Sequence, residues 1–368
     1  MEKAKISAHQ LFILILLFDF GTAILLPLGI EAKQDAWLAI LLGMAGSFLL
    51  YLIYYRLYVY YPHSLPTQYM QEIFGEWIGR VVAFGYLLYF AYFAARNLRD
   101  FGEMLLTFAY PDTPLYIANA LLILVIIYTL NKGIEVLSRV AELLIVCVYL
   151  LAIIGFILIV ASGLIDFNNL KPVLEEGMLP ILRTVVTQTL YFPFGQVIVF
   201  IMIFPYVNSP KKIKVTGLCA LGLSGINLAI TMIINIAVLG TNLTSRSVFP
   251  LLSTVQSIQV ADFLERLDVF FMFLLIISGF IKLSIFFYAF LIGTADLFKM
   301  KTSSQLIYPL GLIILFLSVV MAQNIQEHFY EGGKIASILL HIPFQILFPI
   351  LLLSITFFKK VKKNQHNI

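Results

Sequence analysis

The chain has 368 residues, of which 61% are hydrophobic and only 12% charged, with a formal net charge of +4. That composition excludes a soluble domain of this size and points to a polytopic membrane protein. The apolar segments run well past 18 residues, so helices are expected rather than the short alternating strands of a β-barrel, and the basic residues fall in alternate loops, where they report orientation rather than a nucleic-acid partner.

Ten membrane spans are predicted, at residues 8–30, 37–61, 79–109, 114–130, 134–162, 178–206, 215–239, 263–297, 304–323 and 337–358. The first carries Asp19 at its centre, followed by Gly21, Thr22, Ala23 and Pro27. An acid at mid-depth costs about 2.5–3.5 kcal/mol on insertion scales, so a simple anchor would avoid it. Backbone freed at that depth is tolerated only around a protein-enclosed cavity. A broken helix that builds a small-molecule site is therefore expected. The segment is too long for a removable signal peptide and lacks a small-residue cleavage site.

The second span has small residues four apart, Gly43 and Ser47, suited to close helix packing. The long third span follows an amphipathic stretch at 65–77 and repeats Tyr86, Tyr89, Phe93 and Arg96 at helical spacing. Tyr89 and Phe93 fall at mid-depth, where they can face a gap beside the broken helix. Further out, Arg96–Asp100 and Arg99–Glu103 are spaced to pair along one face, as a structural ladder or as a gate to an outer vestibule. Glu135, Arg139 and Glu142 form a similar cluster at the inner end of the fifth span.

The sixth span is interrupted by Pro193 and Gly195, flanked by Phe192 and Phe194. The seventh repeats the small pair as Ala220 and Ser224, and the long eighth again follows an amphipathic stretch, at 249–262. Residues 8–162 and 178–358 thus read as two five-helix repeats within one membrane domain spanning 1–368, with 359–368 as a basic cytoplasmic tail. Five spans per repeat force the second to run opposite to the first. Paired broken helices in an inverted repeat point to a transporter-like binding site.

Lys282 lies near the middle of the eighth span, level with Asp19. The two are expected to pair, either as a structural brace or as a coupling ion pair in which the lysine acts like a bound cation. With the N-terminus inside, fourteen Lys and Arg fall on the inner side and five on the outer, which places both termini in the cytoplasm. Cys147 and Cys219 are expected as buried free thiols. The five histidines show no ligand spacing. No nucleophile–base pair or phosphate-cradling loop stands out, so no enzyme, metal or cofactor is expected.

Several stretches, in order along essentially the whole chain, resemble the spore germination permease family, the B subunits of endospore nutrient-germinant receptors. They are GTAILLP at 21–27, FGEWIG at 74–79, FNNLKPVLEEG at 167–177 and FLERLD at 263–268. The resemblance implies the amino acid–polyamine–organocation superfamily fold: all-α, ten helices, a LeuT-like 5+5 inverted repeat with broken first and sixth helices. It also implies the spore inner membrane, a larger A subunit and a lipoprotein C subunit as partners, and a small nutrient ligand such as an amino acid, sugar or nucleoside. By position, Gly21, Tyr89, Phe93 and the region of Lys282 and Phe286 match pocket positions of the family. The expected ligand set is therefore Gly21, Thr22, Ala23, Tyr89, Phe93, Phe192, Phe194, Gly195 and Phe286. The chain departs from the family at Ala23, where a second glycine is common, at Leu28, where a basic residue is usual, and in the aromatic run Tyr191 to Phe194. An autonomous amino acid transporter, proton-coupled through Asp19 and Lys282, is the alternative reading.

Overall fold

The computed structural model describes residues 5–258 and 268–365. Lys3, Arg266 and most of the family-like stretch at 263–268 lie outside the described residues, as do 259–262 and the last three residues of the tail.

Among the described residues, seven helical runs are long and apolar enough to cross a bilayer, and three shorter apolar helices complete the ten expected positions. One of the short ones is α1 (Ala8–Phe20), which Ser7 opens with a capping box to Gln10. Its 13 residues rise only about 20 Å, less than a bilayer core. The remaining depth is made by irregular backbone through Gly21 (φ 25°), Pro27 and Gly29 (φ 74°), then a 3-10 turn at Ile30–Asp35. The first span is therefore broken at Gly21, as its sequence implies.

Then come α2 (Ala36–Tyr60), the short α3 (Pro66–Phe74), α4 (Glu76–Phe108), α5 (Leu115–Asn131) and α6 (Ile134–Ala161). The sixth span is also broken. It starts as α7 (Met178–Thr184), widens at Val185–Thr189, turns at 190–193 and resumes as a 3-10 helix at Phe194–Met202. The remaining helices are α8 (Ile213–Arg246), the short α9 (Pro250–Gln256), α10 (Asp268–Leu297), α11 (Ile307–Val320), α12 (Ile325–Tyr330) and α13 (Phe348–Gln365). The short α3 and α9 occupy the two amphipathic stretches.

The repeat shows in the packing. The first span packs on the sixth, α2 on α8, and α4 along α10, so each of the first three spans meets the one five places later. Small residues make the α2–α8 approach close. A Cβ on Gly217 would sit 2.0 Å from the Tyr51 ring, and one on Gly225 would sit 2.4 Å from Met44 Sδ. The Tyr51 hydroxyl also donates to the Ile213 carbonyl at 2.8 Å, which anchors the ring that Gly217 admits.

Two expectations need correction. The tenth span was expected to begin at 337, but helical backbone starts at Ile325, where Asn324 caps it by accepting from Glu327 N. The polar run Gln326–Lys334 had the composition of a loop. It continues through wide turns at Glu331–Ile335 and Ser337–Leu347, the second containing Pro343. Cys147 and Cys219 are not buried; both are exposed. Cys147 shares a face of α6 with Leu143, Val146, Leu150 and Ile154, which are 43–73% exposed and turn toward lipid.

Gly217→Ala is expected to destabilise the fold by about 1–3 kcal/mol, as overpacking typically does. Gly222→Ala, whose Cβ would meet only Phe48 Cζ at 3.7 Å, is the matched control. Melting of the purified protein in nanodiscs checks this; equal melting temperatures would contradict the packing.

Candidate functional site

Both breaks open onto one cavity of about 450 Å³. Thr22, Leu26 and Pro27 of the first span face it, with Gln188, Phe192 and Gln196 of the sixth. The third span adds Phe93, Arg96, Asn97 and Asp100 from α4, and the tenth adds Phe329, Gly332, Ser337 and His341. Arg246 and its neighbours close one end from the C-terminus of α8. Backbone from one break is satisfied by the other: Gly29 N donates to Gln188 Oε1 at 3.0 Å.

Of the expected ligand residues, Thr22, Phe93 and Phe192 line this cavity. The others form the layer behind it. Phe286 stacks on Phe93 with centroids 5.9 Å apart, and Tyr89 on Phe344 at 5.2 Å. Gly21, Ala23 and Phe194 are buried in packing, and a Cβ on Gly195 would sit 2.1 Å from Gln345 Oε1. Gly21 abuts the stem of Lys282, whose Cδ would lie 2.3 Å from an added Cβ.

The expected Asp19–Lys282 ion pair is not formed. Asp19 Oδ2 accepts from the Ser224 hydroxyl at 2.7 Å, and its Oδ1 finds no partner among the described residues. Lys282 Nζ also lacks a hydrogen-bond partner there and lies over two rings, Phe18 at 5.1 Å and Phe192 at 4.6 Å. Ring faces attract a desolvated ammonium, by about 2 kcal/mol or more. The cation thus stands directly behind a wall residue of the cavity rather than on the acid, whose Oδ2 is taken by Ser224, one of the small residues of α8.

The ladder along α4 is only half formed. Arg99 pairs with Glu103 at 2.8 Å and also donates to the Ser318 and Val319 carbonyls, tying α4 to the end of α11. Arg96 does not pair with Asp100. Its Nη2 donates to the His328 carbonyl at 2.7 Å, while His328 Nε2 donates to Asp100 Oδ1 at 2.6 Å. His328 thus draws both residues across to the tenth span, bridging one side of the cavity.

Sequence reasoning missed His328, His341, Gln345, Gln188, Gln196 and Asn97. His341 and Gln345 were legible as two polar residues four apart in an otherwise apolar run, and Asn97 and Gln196 as amides inside spans. Among the described residues no group of His, Cys, Asp and Glu could hold a metal ion.

The profile of a family described as spore germination protein matches residues 5–326. The chain is 52% identical to spore germination protein KB of Bacillus subtilis (strain 168), over 99% of this chain and 98% of that protein. It is 27% identical to spore germination protein YndE of the same organism, over 97% and 98% of the two chains. Among solved structures it is similar to Mhp1, a nucleobase-cation-symport-1 family transporter in a closed conformation with bromovinylhydantoin bound. That match has a TM-score of 0.66 at 11% identity, covering 90% of this chain and 75% of that one. It is also similar to MhsT in complex with L-phenylalanine, with a TM-score of 0.60 at 14% identity over 97% and 99% of the chains. At such identities the likeness is one of fold, the LeuT-like arrangement of two inverted five-helix repeats.

Lys282→Met is expected to preserve or raise stability, by up to about 1–4 kcal/mol, because an apolar side chain relieves a buried charge that lacks a hydrogen-bonded partner. A clear drop in the melting temperature of the purified protein would show instead that the ammonium braces the fold.

Proposed function

The chain belongs to the spore germination protein family, and on that premise we propose that it is the nutrient-binding B subunit of an endospore germinant receptor. One observation carries the reading: one cavity opens between two interrupted spans, lined by polar and aromatic side chains, with Arg96, Asp100 and Arg246 as its charged members. Inverted-repeat proteins place small-molecule sites there. Thr22, Phe93 and Phe192 contact the nutrient, an amino acid, sugar or nucleoside, while Tyr89 and Phe286 hold Phe93 in place. Gly21, Ala23, Phe194 and Gly195 act by letting the breaks approach their neighbours.

The site lies in the spore inner membrane, with both termini cytoplasmic, and works with the larger A subunit and the lipoprotein C subunit. Binding signals only if the ligand prefers one conformation. A hundredfold preference supplies about 2.7 kcal/mol to shift the balance. His328 offers a two-sided element for such a shift, since it holds both Arg96 and Asp100 of α4 from the tenth span.

Autonomous transport is the second reading. The Lys282 ammonium, without a hydrogen-bond partner among the described residues, and the Asp19 carboxylate at mid-depth support it, because buried ionisable groups accompany coupled ion movement in membrane proteins. Uptake of labelled amino acids into liposomes by this chain alone would favour transport over sensing.

Deletion of the gene, in a strain stripped of other germinant receptors, is expected to abolish the response to at least one single nutrient or combination. Normal responses throughout would overturn the reading. Restoring the gene as Thr22→Val or Gln196→Leu is expected to raise the half-maximal nutrient concentration about tenfold, the effect of one lost hydrogen bond of roughly 1.4 kcal/mol. Cys147→Ser, on the lipid face, is expected to leave it unchanged.

A further inference from the structure

His341 reaches the cavity from the wide-turn segment of the tenth span, and its surroundings decide which ring nitrogen carries the proton. Its Nδ1 lies 2.8 Å from the side-chain amide nitrogen of Gln345 and 3.2 Å from the Tyr89 hydroxyl. An amide NH₂ can only donate, so Nδ1 must present its lone pair. The orientation of the Gln345 amide, which leaves its Oε1 without a partner among the described residues, is set by one further contact. The same nitrogen faces the Tyr191 carbonyl at 3.3 Å, and a carbonyl can only accept. The Tyr89 hydroxyl, 2.8 Å from Gln345 Nε2, shares the two amide protons with Nδ1 and the Tyr191 carbonyl, and its own proton can also reach Nδ1.

The ring is therefore neutral with its proton on Nε2. That nitrogen has no hydrogen-bond partner among the described residues, and the side chain lines the cavity. The ring is also fixed in orientation. It lies nearly parallel to Phe93, with centroids 4.7 Å apart at 20°, and to Tyr191, at 6.3 Å and 11°.

Of the charges near this cavity, three are engaged elsewhere. Arg96 donates to the His328 carbonyl, Asp100 accepts from the His328 ring, and Lys282 stands behind Phe192. Arg246, from the end of α8, also lines the cavity and has no hydrogen-bond or ion-pair partner among the described residues, while Thr22, Asn97, Gln188, Gln196 and Ser337 are among the uncharged polar residues that accompany His341 from the spans. An anionic end of a ligand has Arg246 to turn to, whereas a hydroxyl or carbonyl oxygen finds at His341 a pre-aimed donor that costs little to organise.

We propose that His341 is a ligand-binding residue whose Nε2–H donates to an uncharged oxygen, a hydroxyl or carbonyl, of the small molecule held in this cavity. Gln345 and Tyr89 are positioning residues that fix its tautomer. The proposal rests on reading the cavity as the nutrient site. It assigns the recognition of the ligand's uncharged end to the tenth span, which sequence reasoning had left out of the site.

Two measurements on the purified full-length protein in nanodiscs test it. In the first, nitrogen NMR with labelled histidine, using His341→Gln to identify the signal, is expected to show the Nε2–H neutral form. Gln345→Glu, which sets an acceptor against Nδ1, is expected to move the proton to Nδ1. A wild-type signal from a doubly protonated or Nδ1–H ring would overturn the proposal. In the second, D-glucose, inosine and the common L-amino acids are tested singly by thermal shift. A probe that stabilises the wild type is expected to bind His341→Phe at least tenfold more weakly, although the flat ring against Phe93 and Tyr191 is kept. Equal affinity would overturn the role of His341 and leave the cavity reading standing. Absence of any shift with the wild type would overturn the cavity reading, and this inference with it.

Discussion

Backbone N–H and C=O groups that leave a helix inside a bilayer have no water to turn to, so protein must satisfy them. The structure meets that constraint with side chains from other spans. Gln188, from the sixth span, accepts from Gly29 N in the first. Where the tenth span widens around Pro343, the Tyr86 and Tyr54 hydroxyls donate to the carbonyls of Phe344 and Gln345, at 2.7 and 2.6 Å. Gln188, which satisfies the first break, also lines the cavity, so the cavity is a consequence of interrupting helices at mid-depth.

The repair also binds the interrupted spans into one unit. Beyond Pro27, Gln34 donates to the Pro172 carbonyl and to Glu175, Asp35 accepts from Leu174 N, and Lys33 pairs with Glu176. These residues belong to the 3-10 turn after the first break and to the family-like stretch that leads into the sixth span. Asn169 adds a bond to the Ala237 carbonyl of α8. That stretch therefore straps the far ends of both broken spans together, and a displacement of one is carried to the other through short polar contacts.

The fold was legible because its signals are local and strong: apolar length, loop charge, and Gly or Pro at matching places in two halves. The breaks at Gly21 and at Pro193–Gly195 fall where the sequence set them. The site was only partly legible. Thr22, Phe93 and Phe192 could be found from the breaks and from helical spacing, but His341 and His328 sit in a segment whose wide turns and polar N-terminus resemble a loop. Pairings across the cavity depend on tertiary geometry that no spacing encodes. Asp19 and Lys282 match in depth, yet Ser224 occupies the acid and two rings occupy the cation. Arg96 and Asp100 have the spacing of an i,i+4 pair, yet each finds His328 instead.

Lys282 and His341 show how differently two buried basic side chains are handled around one cavity. A neutral His341 still carries one N–H, and Gln345 fixes which nitrogen bears it, so the ring keeps a donor without the cost of a desolvated ion. A lysine has no neutral donor of comparable direction, and here it rests on Phe18 and Phe192 while its ammonium lacks a hydrogen bond among the described residues. Phe192 is thus held from behind by a cation and faces the cavity with its other side. Any ligand that moves this ring exposes the ammonium to a new environment, and any change at Lys282 or Asp19 alters the support of the ring. The contact between the mid-membrane Lys282 and the cavity therefore runs through Phe192 of the sixth-span break, not through a direct ion pair.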